Sequence, residues 1–241
     1  MHGNFKRYYT LREGVVEDRL SLLQREWFKD KRFLDIGCNE ADFTLAIASS
    51  FRPRSVLGID LDPALIATAL KKREMMIARL QNNAFRSLLP RTHRQLTDYF
   101  SKDVLFQRMD IMDPSSLPLH SFDVISCLSV VKWIHLHHGD EGLLQLFALI
   151  YDLLTENGIL IFEYQTWQSY KNSRNTSKVA KANFDLIQLR PEHFETALVS
   201  AQFTVLARHY TEVQSNVLRR PLLILRKSPP RRVRHEDLGA E

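Results

Sequence analysis

The chain has 241 residues, 44% of them hydrophobic, and a net charge of +5. That length suits one α/β domain with decorations, and the apolar share is enough to fill a core. No apolar run approaches the roughly 20 residues of a membrane span. The opening Met1-His2-Gly3-Asn4-Phe5-Lys6-Arg7 shows no apolar stretch of the secretory kind. Two cysteines, Cys38 and Cys127, read as reduced, half-buried thiols of a cytosolic or nuclear protein rather than as a disulfide. The basic balance permits a polyanionic partner without requiring one.

Residues 1–30 are polar and aromatic, ending in Trp27-Phe28. They read as a segment that covers the substrate and cofactor side of a domain spanning 31–228. The first strand is expected at about 32–36, and a helix carrying Phe43, Leu45, Ala46, Ile47 and Ala48 follows. The second strand is expected at about 55–60, with Asp62 as the cap and Pro63 as the first residue of a long helix. Residues 82–103, with Arg86, Arg91, His93 and Arg94, read as a basic, irregular insertion. Val104-Leu105-Phe106 and Phe122–Leu128 are the next strands. A helix is expected at about 140–154, an Asn157-Gly158 turn, and a strand at 159–163. Pro191 opens another helix, and Phe203–Ala207 and Leu222–Arg226 are late strands. The tail 229–241, with Arg231, Arg232 and Arg234, reads as disordered and solvated, with nuclear import or nucleic-acid contact as the other use of such a cluster. Alternation of strand and helix predicts a parallel sheet with helices on both faces.

The spacing of the first two strands carries chemistry. Phe33-Leu34-Asp35-Ile36-Gly37-Cys38-Asn39 is answered by Leu57-Gly58-Ile59-Asp60-Leu61-Asp62-Pro63, with Asp60 23 residues after Gly37. Strand, glycine turn, helix, strand and acidic tip make up a nucleotide-type crevice. Gly37 lets the backbone pass close to a ligand, and Asp60 can accept hydrogen bonds from ribose hydroxyls. The turn holds Cys38, Glu40 and Ala41 in place of a full glycine fingerprint, so it is a poor cradle for a pyrophosphate. S-adenosylmethionine fits better than a dinucleotide; an ordinary turn without ligand is the alternative. Asp110 can hold an adenine amino group or simply form a turn, and Leu61 and Ile111 can sandwich the ring.

Ser129–Asp140 concentrates Lys132, Trp133, His135, His137 and His138 just past the fourth strand. Three readings compete there: a metal site, a structural loop, and an anion and base-stacking site. The last is preferred, with Lys132 on phosphate and Trp133 or His135 on a ring; no Cys or carboxylate set with ligand spacing supports a metal. Glu163–Lys171 brings aromatic and amide groups beside the same crevice, followed by Arg174, Lys178 and Lys181. No Pro-Pro-Tyr/Trp loop follows the fourth strand, so an amide-nitrogen acceptor is disfavoured. An acceptor oxygen that is already anionic, as in a phosphate, needs no base and only in-line positioning.

Several segments together resemble the methylphosphate capping enzyme family of RNA 5′-phosphate methyltransferases. They are Gly3-Asn4 with Tyr8-Tyr9 and Arg12; Leu34–Asn39; Cys127–Leu136; Gly139–Leu143; Gln165–Tyr170; and Ile187–Phe194. The likeness runs from about residue 3 to residue 227. It implies an α/β fold of the class I S-adenosylmethionine-dependent methyltransferase type, a Rossmann-like seven-stranded sheet with helices on both faces. It implies methyl transfer to the γ-phosphate at the 5′ end of a small nuclear RNA made by RNA polymerase III. A nuclear protein with ribonucleoprotein components nearby follows from the same likeness; a cytoplasmic one is the other placement, and a monomer is expected. By it, Arg12, Gly37, Cys38, Asn39, Asp60, Leu61, Asp62, Asp110, Ile111 and Leu128 line the cofactor site. Asn4, Tyr8, Arg12, Lys132, Trp133, His135, Gln165 and Trp167 face the RNA end, with Lys132 and His135 in catalytic roles. The chain departs from the family pattern at His2, at Ala41 where a second glycine is usual, at Thr166 where proline is usual, and at His137-His138. A sister group acts on 5′-monophosphate RNA, and its fourth-strand loop differs more from this one. An RNA-binding scaffold with a vestigial fold, and a small-molecule or protein methyltransferase, are the remaining alternatives.

Overall fold

The computed structural model describes residues 15–82, 90–113, 117–211 and 220–229. In chain order the elements are α1 (Val15–Ser21), β1 (Arg32–Ile36), α2 (Asp42–Ser50), β2 (Ser55–Asp60), α3 (Pro63–Gln81), α4 (Pro90–Lys102), β3 (Val104–Arg108), β4 (Phe122–Leu128), α5 (Val131–Leu153), β5 (Leu154–Glu163), α6 (Trp167–Ser173), α7 (Lys178–Leu186), α8 (Phe194–Ser200), β6 (Phe203–Thr211) and β7 (Arg220–Lys227). The strands form one seven-stranded sheet in the order β3-β2-β1-β4-β5-β7-β6. The first five run parallel, while β7 pairs antiparallel with both β5 and β6.

Side chains alternate across each strand, and both faces of the sheet are covered. Leu34, Ile36, Ile125, Cys127, Leu160 and Phe162 join α5, α7 and α8 in one core. Phe33, Val124, Ile159, Ile161 and Ile224 join α2, α3 and α4 in the other. The register aligns Ile36 with Ile59 on one side and with Cys127 on the other, and Cys127 with Phe162. The carboxyl ends of β2, β1, β4 and β5 therefore lie along one edge. The chain leaves β1 in opposite directions, toward β2 and toward β4, so the crevice of an open α/β sheet opens there.

The elements expected from the sequence are found, but the sheet is mixed rather than parallel throughout, since β7 runs antiparallel to its neighbours, and three expected elements differ. The insertion at 82–103 is not irregular throughout, because Pro90–Lys102 is helical. Its Phe100 is buried in the core beside α3 and β3, with Tyr99 packed against the same core, but Leu96 is its only other large apolar side chain, which gives no apolar run to read. The helix expected from 140 begins at Val131 instead. Val131, Lys132, Ile134, His135 and Leu136 are all buried, so a lysine and a histidine lie on the buried side and blur the amphipathic period. The helix is broken at Gly139, whose φ of 67° and ψ of −169° are open to glycine. Finally, β5 starts at Leu154, and the Asn157-Gly158 turn is a bulge within it. Asn157 has a φ of 60°, and the pairing with β4 shifts between Phe122 and Val124. Both cysteines are free and buried. The tail 230–241 lies outside the described residues, as do Asn4, Tyr8 and Arg12.

Candidate active site

The turn after β1 is built from left-handed residues. Gly37, Asn39 and Ala41 have φ values of 73°, 53° and 68°. A Cβ on Gly37 would lie 2.8 Å from Val130 Cγ2, so glycine is required both by the backbone and by the close approach of the β4 end. Ala41 accepts the conformation that a second glycine would take more cheaply, and its methyl is fully buried. Every amide of the turn is already spent. Gly37 N and Cys38 N donate to the Ile59 carbonyl at 2.8 and 2.9 Å, and Ala41 N donates to Cys38 O at 2.9 Å. Asn39 N donates to Asp60 Oδ2 at 2.9 Å and Glu40 N to Asn39 Oδ1 at 2.8 Å. A turn with no free N–H cannot cradle a pyrophosphate. This geometry separates an adenosyl group without phosphates from a dinucleotide.

Asp60 ends β2 facing that turn. Its second oxygen accepts from Asp62 N at 3.0 Å. Burial pushes its carboxyl up, against the amides of Asp62 and Asn39, which hold it down. Each oxygen keeps a lone pair for a diol. Asp62 caps α3 by accepting from Ala64 N at 2.7 Å, with Pro63 as the first helical residue. Behind the turn, Asp35 is held between Thr44 Oγ1 at 2.5 Å and Ser126 Oγ at 2.6 Å, and burial raises its carboxyl to about 6. Leu61, Ile111 and the buried Leu128 lie at the ends of β2, beyond β3 and of β4. Asp110 is exposed and accepts from Met112 N at 2.9 Å, so it forms the turn that was its plainer role.

The acceptor side differs more from expectation. His135 is fully buried, with Nε2 2.7 Å from Asp140 Oδ1 and Nδ1 3.2 Å from Tyr170 OH. Burial lowers its pKa against the opposing Asp140 carboxylate. The neutral ring then donates from Nε2 and accepts from the tyrosine. With both nitrogens occupied, His135 neither faces an RNA end nor serves as a base for one; it is corrected to a packing residue. Asp140 explains the Gly139-Asp140-Glu141-Gly142-Leu143 motif. After the break at Gly139, its Oδ2 accepts from the amides of Gln188 and Leu189 at 2.9 and 3.0 Å. It thereby ties α5 to the segment after α7. Trp167 is only partly buried, but its ring too is engaged in packing against the core. Its ring stacks on Phe184 at 4.8 Å and on Tyr170 at 5.3 Å, with the Arg190 guanidinium 5.2 Å from its centroid.

Lys132 stands in the first turn of α5, just past β4. It is 5% exposed rather than solvated. Its Nζ donates to Ser169 Oγ at 3.1 Å and Ser173 Oγ at 2.8 Å, and lies 4.3 Å from the Trp133 ring centroid. These bonds clamp α6 to the start of α5. Beside them is a network that the sequence did not reveal. Glu163, at the end of β5, is fully buried and takes Arg19 Nε and Nη2 at 2.9 and 2.7 Å. Arg220 Nη1 is 3.5 Å from the same carboxylate, and both Arg220 and Glu163 bond the Ser129 hydroxyl. Burial alone would push Glu163 up, but Arg19, then Arg220 and Ser129, hold it down to about 2. Gln165 Nε2 donates to the Ser129 carbonyl at 2.5 Å.

The chain matches the Bicoid-interacting protein 3 (Bin3) family model over residues 122–227, which holds this acceptor side, and a methyltransferase domain model over residues 34–160, which holds the cofactor turn. It is 36% identical over 227 residues to an Arabidopsis thaliana protein named "Probable RNA methyltransferase", covering 82% of this chain and 70% of that one. The chain belongs to the Bin3 family of RNA methyltransferases. A second relative, the human "7SK snRNA methylphosphate capping enzyme", is 31% identical over 239 residues; the match covers 83% of this chain but 35% of the human one. Among solved structures, the N-methyltransferase NodS of Bradyrhizobium japonicum aligns with a TM-score of 0.59 at 19% identity, over 90% of this chain and 98% of that one. That likeness is one of fold: the class I methyltransferase sheet. As a Bin3-family methyltransferase, the chain uses S-adenosylmethionine. The spent amides of the 37–41 turn and the Asp60 carboxylate fit an adenosyl group. Asp60→Ala is expected to weaken its binding by about tenfold or more, because a charge-assisted bond is worth roughly 1.5–3 kcal/mol. Titration calorimetry checks this; an unchanged dissociation constant would remove Asp60 from the site.

Proposed function

We propose that this Bin3-family chain transfers a methyl group from S-adenosylmethionine to the γ-phosphate at the 5′ end of a small nuclear RNA made by RNA polymerase III, in the nucleus. The observation that carries the reading is the placement of Lys132. The first turn of α5, which follows the carboxyl end of β4 on the far side of β1 from Asp60, carries this lysine, and its ammonium lies against Ser169 and Ser173 of α6. The amino end of a helix and a lysine together make that edge positive, where an anionic acceptor belongs.

Bound across β1 and β2, S-adenosylmethionine supplies an electrophilic methyl group on a sulfonium. Asp60 would hold the ribose, and Gly37, with no side chain, lets Val130 pack against the turn. Lys132 would offset phosphate repulsion and keep one phosphate oxygen in line with the methyl carbon. That oxygen is already anionic, so no residue has to remove a proton as the O–C bond forms and the C–S bond breaks. Ser169 and Ser173 fix where the ammonium stands, and Asp140, through His135, fixes the helix that carries it. Water is kept from the ammonium by its burial.

The test is mass spectrometry of a 5′-triphosphate RNA after incubation with the protein and labelled cofactor. One added methyl on the terminal phosphate is expected. Parallel samples carry 5′-monophosphate and 5′-hydroxyl ends. Methylation of the monophosphate alone would move the acceptor to the sister group's substrate. Equal binding of 5′-hydroxyl and triphosphate RNA, with no methyl added to either, would turn the reading to a scaffold. Affinity should also fall with salt, with a slope of about −0.7 for each phosphate contact on a single strand.

A further inference from the structure

Among the described residues, five buried side-chain polar atoms have no hydrogen-bonding partner: Arg73 Nε, Tyr99 OH, Gln165 Oε1, Thr166 Oγ1 and Gln202 Oε1. Gln165 and Thr166 are neighbours at the carboxyl end of β5. The Gln165 side chain is the more constrained, being in a residue 3% exposed. Its amide cannot be turned over. The group it meets at 2.5 Å is the Ser129 carbonyl, which only accepts, so nitrogen must face it and Oε1 is the atom left open.

Ser129 is itself unusual. It has a φ of 62°, a conformation that costs a non-glycine residue of order 1–3 kcal/mol and persists where surroundings over-determine it. Here they do. Its amide donates to Glu163 O at 2.9 Å. Its hydroxyl meets Glu163 and Arg220, and its carbonyl takes Gln165. Every polar group of the strained residue is used, in a network drawn from α1, β5 and β7. The network ends in one acceptor without a donor. Leaving a buried acceptor unpaired costs about 1–3 kcal/mol, and folded proteins keep few of them.

The position of that atom says which donor it awaits. From β2, which carries Asp60, the sheet steps through β1 and β4 to β5. At about 4.8 Å a step, that is roughly 14 Å away, beyond β4 and on the acceptor's side. An ionised phosphate oxygen offers only lone pairs and cannot satisfy Oε1. We propose that Gln165 Oε1 accepts a hydrogen bond from a hydroxyl of the acceptor's 5′-terminal nucleotide, and so selects the substrate. Two hydroxyls share that chemistry: the ribose 2′-OH, and the protonated oxygen of a singly protonated terminal phosphate. The assignment rests on the RNA reading above. Because the atom is closed to solvent, the segment around Gln165 yields as the RNA end enters. An analogue without the hydroxyl leaves the atom unpaired in the complex as well, which makes the selection strong.

The experiment measures kcat/KM for methyl transfer to a 5′-triphosphate RNA and to the same RNA with a 2′-deoxy first nucleotide. Wild type and Gln165→Met are compared between pH 5.5 and 8. If the ribose hydroxyl is the donor, the deoxy change lowers wild-type kcat/KM about tenfold or more and leaves Gln165→Met indifferent to it. If the phosphate is the donor, wild-type kcat/KM falls as pH rises through the phosphate's second ionisation near 6, and the variant's profile is flat. Equal effects of both changes on the two proteins overturn the assignment. So does wild type that ignores both the 2′ position and the pH, a measurement that stands even where Gln165→Met does not fold. Absence of methyl transfer to any phosphorylated RNA overturns the RNA reading, and the assignment with it.

Discussion

Glu163→Ala is expected to cost about 3–5 kcal/mol of folding stability, because removing one partner of a buried ion pair strands the other charge. Two charges are stranded here: Arg19 is 1% exposed and Arg220 is 8% exposed. The Ser129 hydroxyl loses its acceptor as well, at a residue already held in the left-handed region. A denaturant midpoint that falls with an unchanged m-value is the expected readout. The pH dependence has a definite sign. The carboxyl lies at about 2 when folded, against an ordinary 4.5. Its contribution is therefore complete above about 4.5 and is lost as pH falls from there toward 2. The variant should show a flatter acid limb than wild type. By contrast, Arg208→Ala breaks a pair in which the arginine is 60% exposed, and should leave stability nearly unchanged. Equal midpoints for wild type and Glu163→Ala would mean that the three-element network does not form in solution.

The cofactor half of the site was legible because its logic is local. Ile36-Gly37-Cys38-Asn39 and Ile59-Asp60 are single segments, each a buried strand followed by a polar turn, and their pairing follows from parallel order. The acceptor half was legible only in part. Lys132, Trp133 and His135 were found as a motif, but neighbours in sequence do not reveal burial. His135 meets Asp140 and Tyr170, and Trp167 meets Phe184. Each lies on a helix whose apolar surroundings come from elsewhere in the chain. The Arg19–Glu163 pair could not be read at all, since 144 positions separate the partners. A carboxylate that ends a buried strand was visible, but not that an arginine from α1 would neutralise it. The first turns of α5 were missed for the same reason: they bury Lys132 and His135 with their apolar residues, which blurs the period by which helices are recognised.

Lys132→Met is expected to lower the rate of methyl transfer by about a hundredfold or more while leaving affinity for S-adenosylmethionine within a few-fold of wild type. The methionine keeps the length and packing of the stem and removes the charge. What is lost is positioning, for which a displacement of about 1 Å already costs on the order of a hundredfold. At 5% exposure, with Nζ bonded to Ser169 and Ser173, the lysine leaves two serine hydroxyls without that donor when it is removed. Some stability, about 1–3 kcal/mol, should go with it. Rate and stability are separated by a second variant, Ser169→Ala with Ser173→Ala, which removes the hydroxyls and keeps the ammonium. With the ammonium kept but no longer fixed by the hydroxyls, this variant should share much of the stability loss and lose only part of the rate that Lys132→Met loses. Single-turnover methylation at saturating cofactor, read beside thermal melts of both variants, makes the distinction. Comparable turnover in Lys132→Met, with cofactor affinity intact, would show that the phosphate is held by other residues, and Arg12 becomes the first to substitute next.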